Sequence, residues 1–364
     1  MSSVPEKILV LRLSSIGDIL LTTPLLRVLH ARFPQSRIDY CIKERFQPLL
    51  AHHPYLQRIW TFPEGGGFKA LMNLRRRIRE EKYDVILDLH RNQRSWLLRD
   101  RRSHVTTFPK YYLRRWLLVR LGWNLFSSVE PVHRRYLQAL KPWRITDDGQ
   151  GLEFVITEDE KAFGQRYLKE AGAGASQSCF ALAVGASYET KQWPAESFAQ
   201  LAQRLIARYD ARIILFGADK ERVTSQKVAD LVGDGIINAT GMLDIRQTAS
   251  VMAATTVVVA NDSGLMHLAV ALQKKTVAIF GSTTRELGFF PQASFSRVVE
   301  NRTLSCRPCS HVGKHRCPKK HFRCMRDLSV AEVEAAVESL LKKDLIRMAG
   351  AKHGTPQEND AKEV

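Results

Sequence analysis

The run Val257 to Leu272, VVVANDSGLMHLAVAL, constrains the fold more than any other stretch of this chain. Its β-branched start reads as a strand buried on both faces, Asn-Asp-Ser-Gly turns the chain, and the apolar spacing that follows is helical. A buried strand that feeds directly into a helix is half of a βαβ unit, so a parallel sheet wrapped by helices is expected. The same turn places a helix N-terminus and its free N–H groups at one point, which favours an anion such as phosphate.

That grammar recurs along the chain. Lys7 to Leu13, KILVLRL, reads as a buried strand, SSIGD as a turn, and Ile19 to Phe33 as a helix. Tyr83 to Leu89, YDVILDL, follows the charge-rich helical stretch MNLRRRIREEK. In the second half, strands are expected at Phe180 to Val184, Arg212 to Phe216, Val257 to Ala260 and Thr276 to Phe280, with helices at Pro194 to Tyr209, Arg222 to Leu231 and Ile245 to Ala253. At 364 residues the chain exceeds the size at which one hydrophobic core stops growing. The reading is α/β, with two doubly wound domains in tandem. The small, polar stretch EAGAGASQS places their boundary between Lys169 and Ser178, giving domains over 1–170 and 178–328. A last periodic helix covers 329–348, and the apolar-poor tail 349–364 is expected to be disordered.

Hydrophobic residues make up 45% of the chain, an ordinary globular value, and the apolar runs are far shorter than a membrane span. The N-terminal residues lack a signal-peptide pattern, because Arg12, Ser14 and Asp18 soon interrupt the apolar run. A soluble, cytoplasmic chain is expected. Its charge is lopsided: residues 1–150 carry 27 Lys and Arg against 13 Asp and Glu, or +14 of the total +18. Such a field attracts nucleic acid, an anionic lipid surface or a phosphorylated substrate. Against nucleic acid, no recognition-helix or RNP-like motif is present, and the basic half is the one without the anion-binding turn.

In a doubly wound sheet, ligands bind beyond the C-terminal ends of the strands. Asp262, Ser263 and Gly264 fall there, where either of the first two can simply cap the next helix, and where glycine also lets a phosphate approach the backbone. His267 comes one turn later, a position at which histidine is usually structural. Lys191, in GASYETKQWPAESF, lies beyond a strand and before a helix opened by Pro194, placed to neutralise a diphosphate, with Ser187 and Thr190 as hydroxyl donors. No D-x-D triplet occurs, so paired carboxylates on a divalent ion are not indicated. Asp219 and Glu221 both follow RIILFGA, where a carboxylate meets ribose hydroxyls, and the pattern does not choose between them. The absence of G-x-G-x-x-G weakens a nicotinamide-dehydrogenase reading. Asp18 either caps a helix at Ile19 or directs its carboxylate into the crevice, to take a proton from an attacking hydroxyl.

Two further stretches stand out. Lys110 to Phe126, KYYLRRWLLVRLGWNLF, reads as a half-buried helix or as a membrane-surface element. Cys306, Cys309, Cys317 and Cys324, spaced C-x2-C-x7-C-x6-C, read as free thiols or as a structural zinc site.

In order and spacing, LRLSSIGDILLTTPLL, TKQWPAESFAQLA and ANDSGLMHLAVAL resemble glycosyltransferase family nine, the ADP-heptose lipopolysaccharide heptosyltransferases. The resemblance covers about residues 7 to 345. It implies a GT-B fold: two Rossmann-like domains facing across a cleft, donor on the second, acceptor on the first, and the helix over 329–348 crossing back. It implies an inverting transfer of heptose from ADP-heptose to the inner core of lipopolysaccharide, on a lipid A–Kdo acceptor, with no cofactor required. Asp18 matches the family's catalytic base, Lys191 its phosphate-binding lysine, and Asp262, Ser263, Gly264 and His267 its donor motif. Met242 matches an adenine-reading backbone contact and Arg94 an acceptor-phosphate contact. Peripheral attachment to the cytoplasmic leaflet of the inner membrane is the corresponding location.

Overall fold

The computed structural model describes residues 4–174 and 177–351, with side chains described as far as Lys342. In the first domain β1 (Lys7–Leu11), β2 (Arg37–Lys43), β3 (Arg58–Phe62), β4 (Val85–Asp88) and β5 (His104–Thr107) form a parallel sheet of order β3-β2-β1-β4-β5. Around it lie α1 (Ile16–Leu20), α2 (Thr23–Arg32), α3 (Phe68–Glu80), α4 (Gln93–Leu98), α5 (Tyr112–Leu121) and α6 (Val132–Leu137). After α7 (Glu158–Glu170) come β6 (Cys179–Ala183), α8 (Ala195–Tyr209), β7 (Arg212–Phe216), α9 (Arg222–Val232), β8 (Ile236–Asn238), α10 (Ile245–Ala253), β9 (Val257–Asn261), α11 (Gly264–Ala271), β10 (Lys275–Phe280) and β11 (Ser296–Glu300). These strands form a second parallel sheet, of order β11-β10-β9-β6-β7-β8. Short α12 (Arg323–Arg326) and long α13 (Val330–Ala351) close the described chain.

The strands read from sequence are those buried on both faces, such as β1 and β9. Strand order reverses between β1 and β4 in one sheet and between β6 and β9 in the other. Those switch points open a crevice at the C-terminal strand ends.

Three expectations need correction. The helix expected over Ile19 to Phe33 is two helices, because Pro24 removes an N–H at the start of α2. The hydroxyls of Thr22 and Thr23 donate to the carbonyls of Ile19 and Leu20 instead, at 2.6 and 2.8 Å. The first domain ends earlier than 170, since α7 packs on α10 so tightly that a Cβ on Gly164 would lie 2.1 Å from the Ser250 carbonyl oxygen. The crossing is made by the segment ahead of α7: Arg27 grips Asp148 and Glu153, and the Phe154 N–H donates to the Ala271 carbonyl. Finally, the helix over 329–348, expected to cross back, packs on the second sheet along the part whose side chains are described. Val333, Val337 and Leu340, spaced for one helical face, bury in the same apolar cluster as Phe180, Leu182 and Val277 of the second sheet. Of the tail, 349–351 prolongs α13, and 352–364 lies outside the described residues.

Candidate active site

The β9–α11 turn is built by an asparagine that no motif flagged. Asn261, fully buried at the end of β9, donates to the Val184 carbonyl at 2.7 Å and accepts the Trp193 N–H at 3.1 Å. This fixes the loop after β6, and with it Lys191, beside the turn. The Lys191 ammonium lies 2.7 Å from Asp262 Oδ2, which also accepts the Thr283 hydroxyl at 2.7 Å. Ser263 is the N-cap of α11, its buried Oγ has no hydrogen-bond partner among the described residues, and Gly264 opens the helix. A cleft of about 320 Å³ stands over this corner, at the ends of β6, β7 and β9. Its wall includes Ser187, Glu221, Leu243, Ile245, Ser263 and Gly264, together with Ile16 from the first domain.

The two domains meet where α1 abuts α11. A Cβ on Gly264 would lie 2.9 Å from Ile16 Cβ, and one on Gly17 would lie 2.5 Å from His267 Cδ2. Glycine at both positions is therefore a condition of the contact. We expect Gly17→Ala to cost about 1–3 kcal/mol through overpacking, read as a lower urea midpoint at unchanged slope. His267 is buried in this junction, where burial pushes its pKa down to about 4 against the pull of Asp262 and Asp18, so it is neutral at pH 7. Asp18 of one domain and Asp262 and Lys191 of the other all act on this one ring.

Asp18 sits inside α1 rather than capping it, since Ser15 is the N-cap. Its Oδ1 lies 2.8 Å from the Arg12 guanidinium and accepts the Tyr136 hydroxyl at 3.1 Å, while Ser15 Oγ donates to Oδ2 at 3.0 Å. Burial alone would raise its pKa, but Arg12 and these hydrogen bonds override burial and hold the carboxyl below its ordinary value. The carboxylate is thus ionised at neutral pH. If Arg12 is replaced by glutamine, burial is left unopposed and the Asp18 pKa rises. The acidic limb of the pH profile of kcat/KM should then move to higher pH, and an unmoved limb would show that Asp18 does not set it.

A model of Glycosyltransferase family 9 (heptosyltransferase) matches residues 71–320. The chain belongs to that family. The lipooligosaccharide heptosyltransferase 2 of Haemophilus influenzae is 23% identical over 331 residues, covering 82% of this chain and 91% of its own. The lipopolysaccharide heptosyltransferase 1 of Pseudomonas aeruginosa is 26% identical, covering 83% and 86%. The solved Escherichia coli ADP-heptose lipopolysaccharide heptosyltransferase II superposes with a TM-score of 0.71 at 24% identity, over 93% of this chain and 99% of that one. This family 9 glycosyltransferase accordingly has the two-domain GT-B architecture.

Not every residue singled out in this glycosyltransferase reaches the cleft. Thr190 is buried, and its hydroxyl is used within the fold, accepting the Lys314 N–H at 2.8 Å and donating to the Lys314 carbonyl at 3.0 Å. The two acids differ in place: Glu221 is buried in the cleft wall, with its carboxylate accepting the Ala218 N–H at 2.8 Å, whereas Asp219 is exposed and pairs with Arg222. Met242 is 64% exposed and outside the cleft lining, which takes Leu243 instead. Arg94 is exposed and lies over the Phe62 ring, 5.8 Å from its centroid. Arg12, His90 and Arg115 lie within reach of the Asp18 charge, and Lys110 donates to the His90 carbonyl at 2.7 Å; burial pushes Lys110 down to about 8 and Arg115 below its ordinary value. Their sequence signal is only that of a basic half.

The four clustered cysteines are free thiols close enough to act on one another electrostatically. Among the described residues no group of three or more His, Cys, Asp or Glu side chains is set to hold a metal ion. The loop is held by other means. Arg307 donates to the carbonyls of Gly281 and Thr283 at 2.5 and 2.8 Å and pairs with Glu300 at 3.1 Å.

Proposed function

We propose that this glycosyltransferase moves heptose from ADP-heptose to the anionic inner core of lipopolysaccharide, with inversion and without a metal ion in the chemical step. The observation that carries the reading is the meeting of Asp18 from the first domain with Lys191 and the α11 N-terminus from the second around His267. The cleft's apolar wall of Leu243 and Ile245 suits a base, and Glu221 suits ribose hydroxyls. The diphosphate then falls at Ser263, Gly264 and Lys191.

Asp18 takes the proton of an acceptor hydroxyl while its oxygen attacks the anomeric carbon from the face opposite ADP. The new C–O bond forms as the anomeric C–O bond to the diphosphate breaks, which inverts that centre once. Negative charge grows on the departing ADP, where Lys191 and the N–H groups at Ser263 and Gly264 meet it. Lys191 and these N–H groups supply the positive charge that such departure needs, so transfer should survive a chelator.

Among the described residues no helix is long and apolar enough to cross a membrane. Tyr112, Leu113, Trp116, Trp123 and Leu125 are nonetheless exposed on and beyond α5, beside Arg114 and Arg120. That amphipathic patch supports peripheral attachment to the cytoplasmic leaflet. The deciding assay incubates the protein with ADP-heptose and lipid A–Kdo acceptors, with and without EDTA, and reads the product linkage by NMR. Transfer with an inverted anomeric centre in both conditions is expected. No transfer of heptose, or a retained configuration, would overturn the reading.

A further inference from the structure

The short helix α6 of the first domain is held on a turn of the second. A helical turn leaves its last carbonyls unpaired, and the turn over Arg285–Leu287, ended by Gly288 at φ 86°, finds donors for them in the other domain. The Arg135 guanidinium donates to the Glu286 and Leu287 carbonyls at 2.9 and 3.1 Å, and the Val132 N–H donates to the Gly288 carbonyl at 2.9 Å. Arg135 is buried, its guanidinium 5.4 and 5.7 Å from the ring centroids of Tyr111 and Phe126. A planar fork of donors reaches two successive carbonyls in one fixed direction, which a lysine ammonium does not. The fit leaves no slack: a Cβ on Gly288 would lie 2.7 Å from the Glu130 carbonyl oxygen and 2.8 Å from Arg135 Nη2.

The next residue is Tyr136. Successive side chains on a helix point about 100° apart, so α6 turns Arg135 to the second domain and Tyr136 to Asp18, whose Oδ1 accepts the Tyr136 hydroxyl at 3.1 Å. Six residues do not sustain a helix alone, so its packing contacts decide where α6 lies. The same segment of the second domain also reaches the other side of the site. Thr283, just ahead of the turn, donates to Asp262, the partner of Lys191. Residues 283–288 therefore touch the supports of both Asp18 and Lys191.

We propose that Arg135 is a positioning residue: by fixing α6 on the 286–288 turn it sets Tyr136 against Asp18, so that the second domain aims the carboxylate of the first and keeps it in register with Lys191. The proposal rests on Asp18 as the base of the transfer given above and adds what aims it. Aiming the base through the opposite domain ties proton removal to the assembly of the cleft.

The test uses the full chain and reads two quantities: turnover of ADP-heptose with a lipid A–Kdo acceptor, and titration of the Asp18 carboxyl by carbon-13 NMR, which needs no turnover. Arg12, Ser15, Tyr40, His90, Arg115 and His267 also act on Asp18 and are kept in every variant. Tyr136→Phe removes the hydroxyl and should move the Asp18 titration to higher pH. Arg135→Gln should move it the same way, and so should Gly288→Ala, which lies in the second domain and changes no charge. Neither should move it further when added to Tyr136→Phe. kcat should fall about tenfold in Arg135→Gln and in Tyr136→Phe and stay about tenfold, not a hundredfold, below wild type in the pair, with KM for ADP-heptose within twofold. Gly288→Ala keeps the test decisive should Arg135→Gln fail to fold. An Asp18 titration unmoved by the Arg135 and Gly288 variants, or losses that multiply in the pair, overturns the proposal. If the titration moves as stated while Asp18→Asn keeps full turnover, the tie through α6 stands and the assignment of the base falls.

Discussion

Replacing Asp18 by asparagine is expected to lower turnover about a thousandfold while leaving affinity for the nucleotide-sugar within twofold. A positioned general base contributes about 10²–10⁴ in rate, and the amide keeps the shape of the carboxylate but accepts no proton. Arg12 and the Tyr136 hydroxyl can still meet its oxygen, so the α1–α11 contact should persist. The variant nevertheless leaves the Arg12 guanidinium, which is 10% exposed, without a countercharge. Removing one partner of a buried pair costs about 3–5 kcal/mol, and less here because the Asp18 side chain is 22% exposed. Stability and chemistry can be separated by adding Arg12→Gln to Asp18→Asn, which removes the orphaned charge. The pair should regain much of the lost thermal midpoint and none of the turnover. Recovery of turnover with stability, or an unchanged kcat in the single variant, would take Asp18 out of the reaction.

What the chain discloses before folding depends on how local the controlling contact is. β1, β4, β6, β7, β9 and β10 are legible because both faces are buried and the apolar run is continuous. β2 is harder to read, since it carries Asp39 fully buried against Arg37 and the Tyr83 hydroxyl, partners that turn a charged strand into an interior one. Asp18, Lys191 and Asp262 are legible as residues following strands, where ligands bind. Thr190 misleads because its partner, Lys314, lies 124 residues further on, and a hydroxyl beside a lysine expected at a phosphate looks like a donor until that contact exists. Asn261 had a signal that could have been used: an amide inside the run VVVAN must find buried partners, so it marks a structural knot at the strand end. The packing of the first turns of α13 is legible in its own residues, since Val333, Val337 and Leu340 share a face and bury against the second sheet.

Lys191→Ala is expected to reduce kcat about 10²–10³-fold, with a smaller rise in KM for the nucleotide-sugar. Removing one preorganised donor to developing charge costs roughly 3–4 kcal/mol in the transition state. In the proposed transfer, the asymmetry between kcat and KM follows from when the charge appears: the diphosphate would gain charge as the sugar leaves, so Lys191 would bind the departing ADP more strongly than the intact donor. Its position is set in advance by Asp262, 2.7 Å away, which in turn is held by Thr283. In the proposed transfer that arrangement would hold the ammonium in place for the diphosphate, which would account for a carboxylate at this corner. Loss of the lysine leaves Asp262 buried with only a hydroxyl partner, so the thermal midpoint should fall as well. Lys191→Ala combined with Asp262→Asn removes this second effect, and kcat in that pair should stay as low as in the single variant. Lys191→Arg should recover part of the rate, since it restores the charge but not the compact shape. A fall confined to KM in Lys191→Ala would mean that the lysine only anchors the donor, and that charge on the departing diphosphate is met by the α11 N-terminus alone.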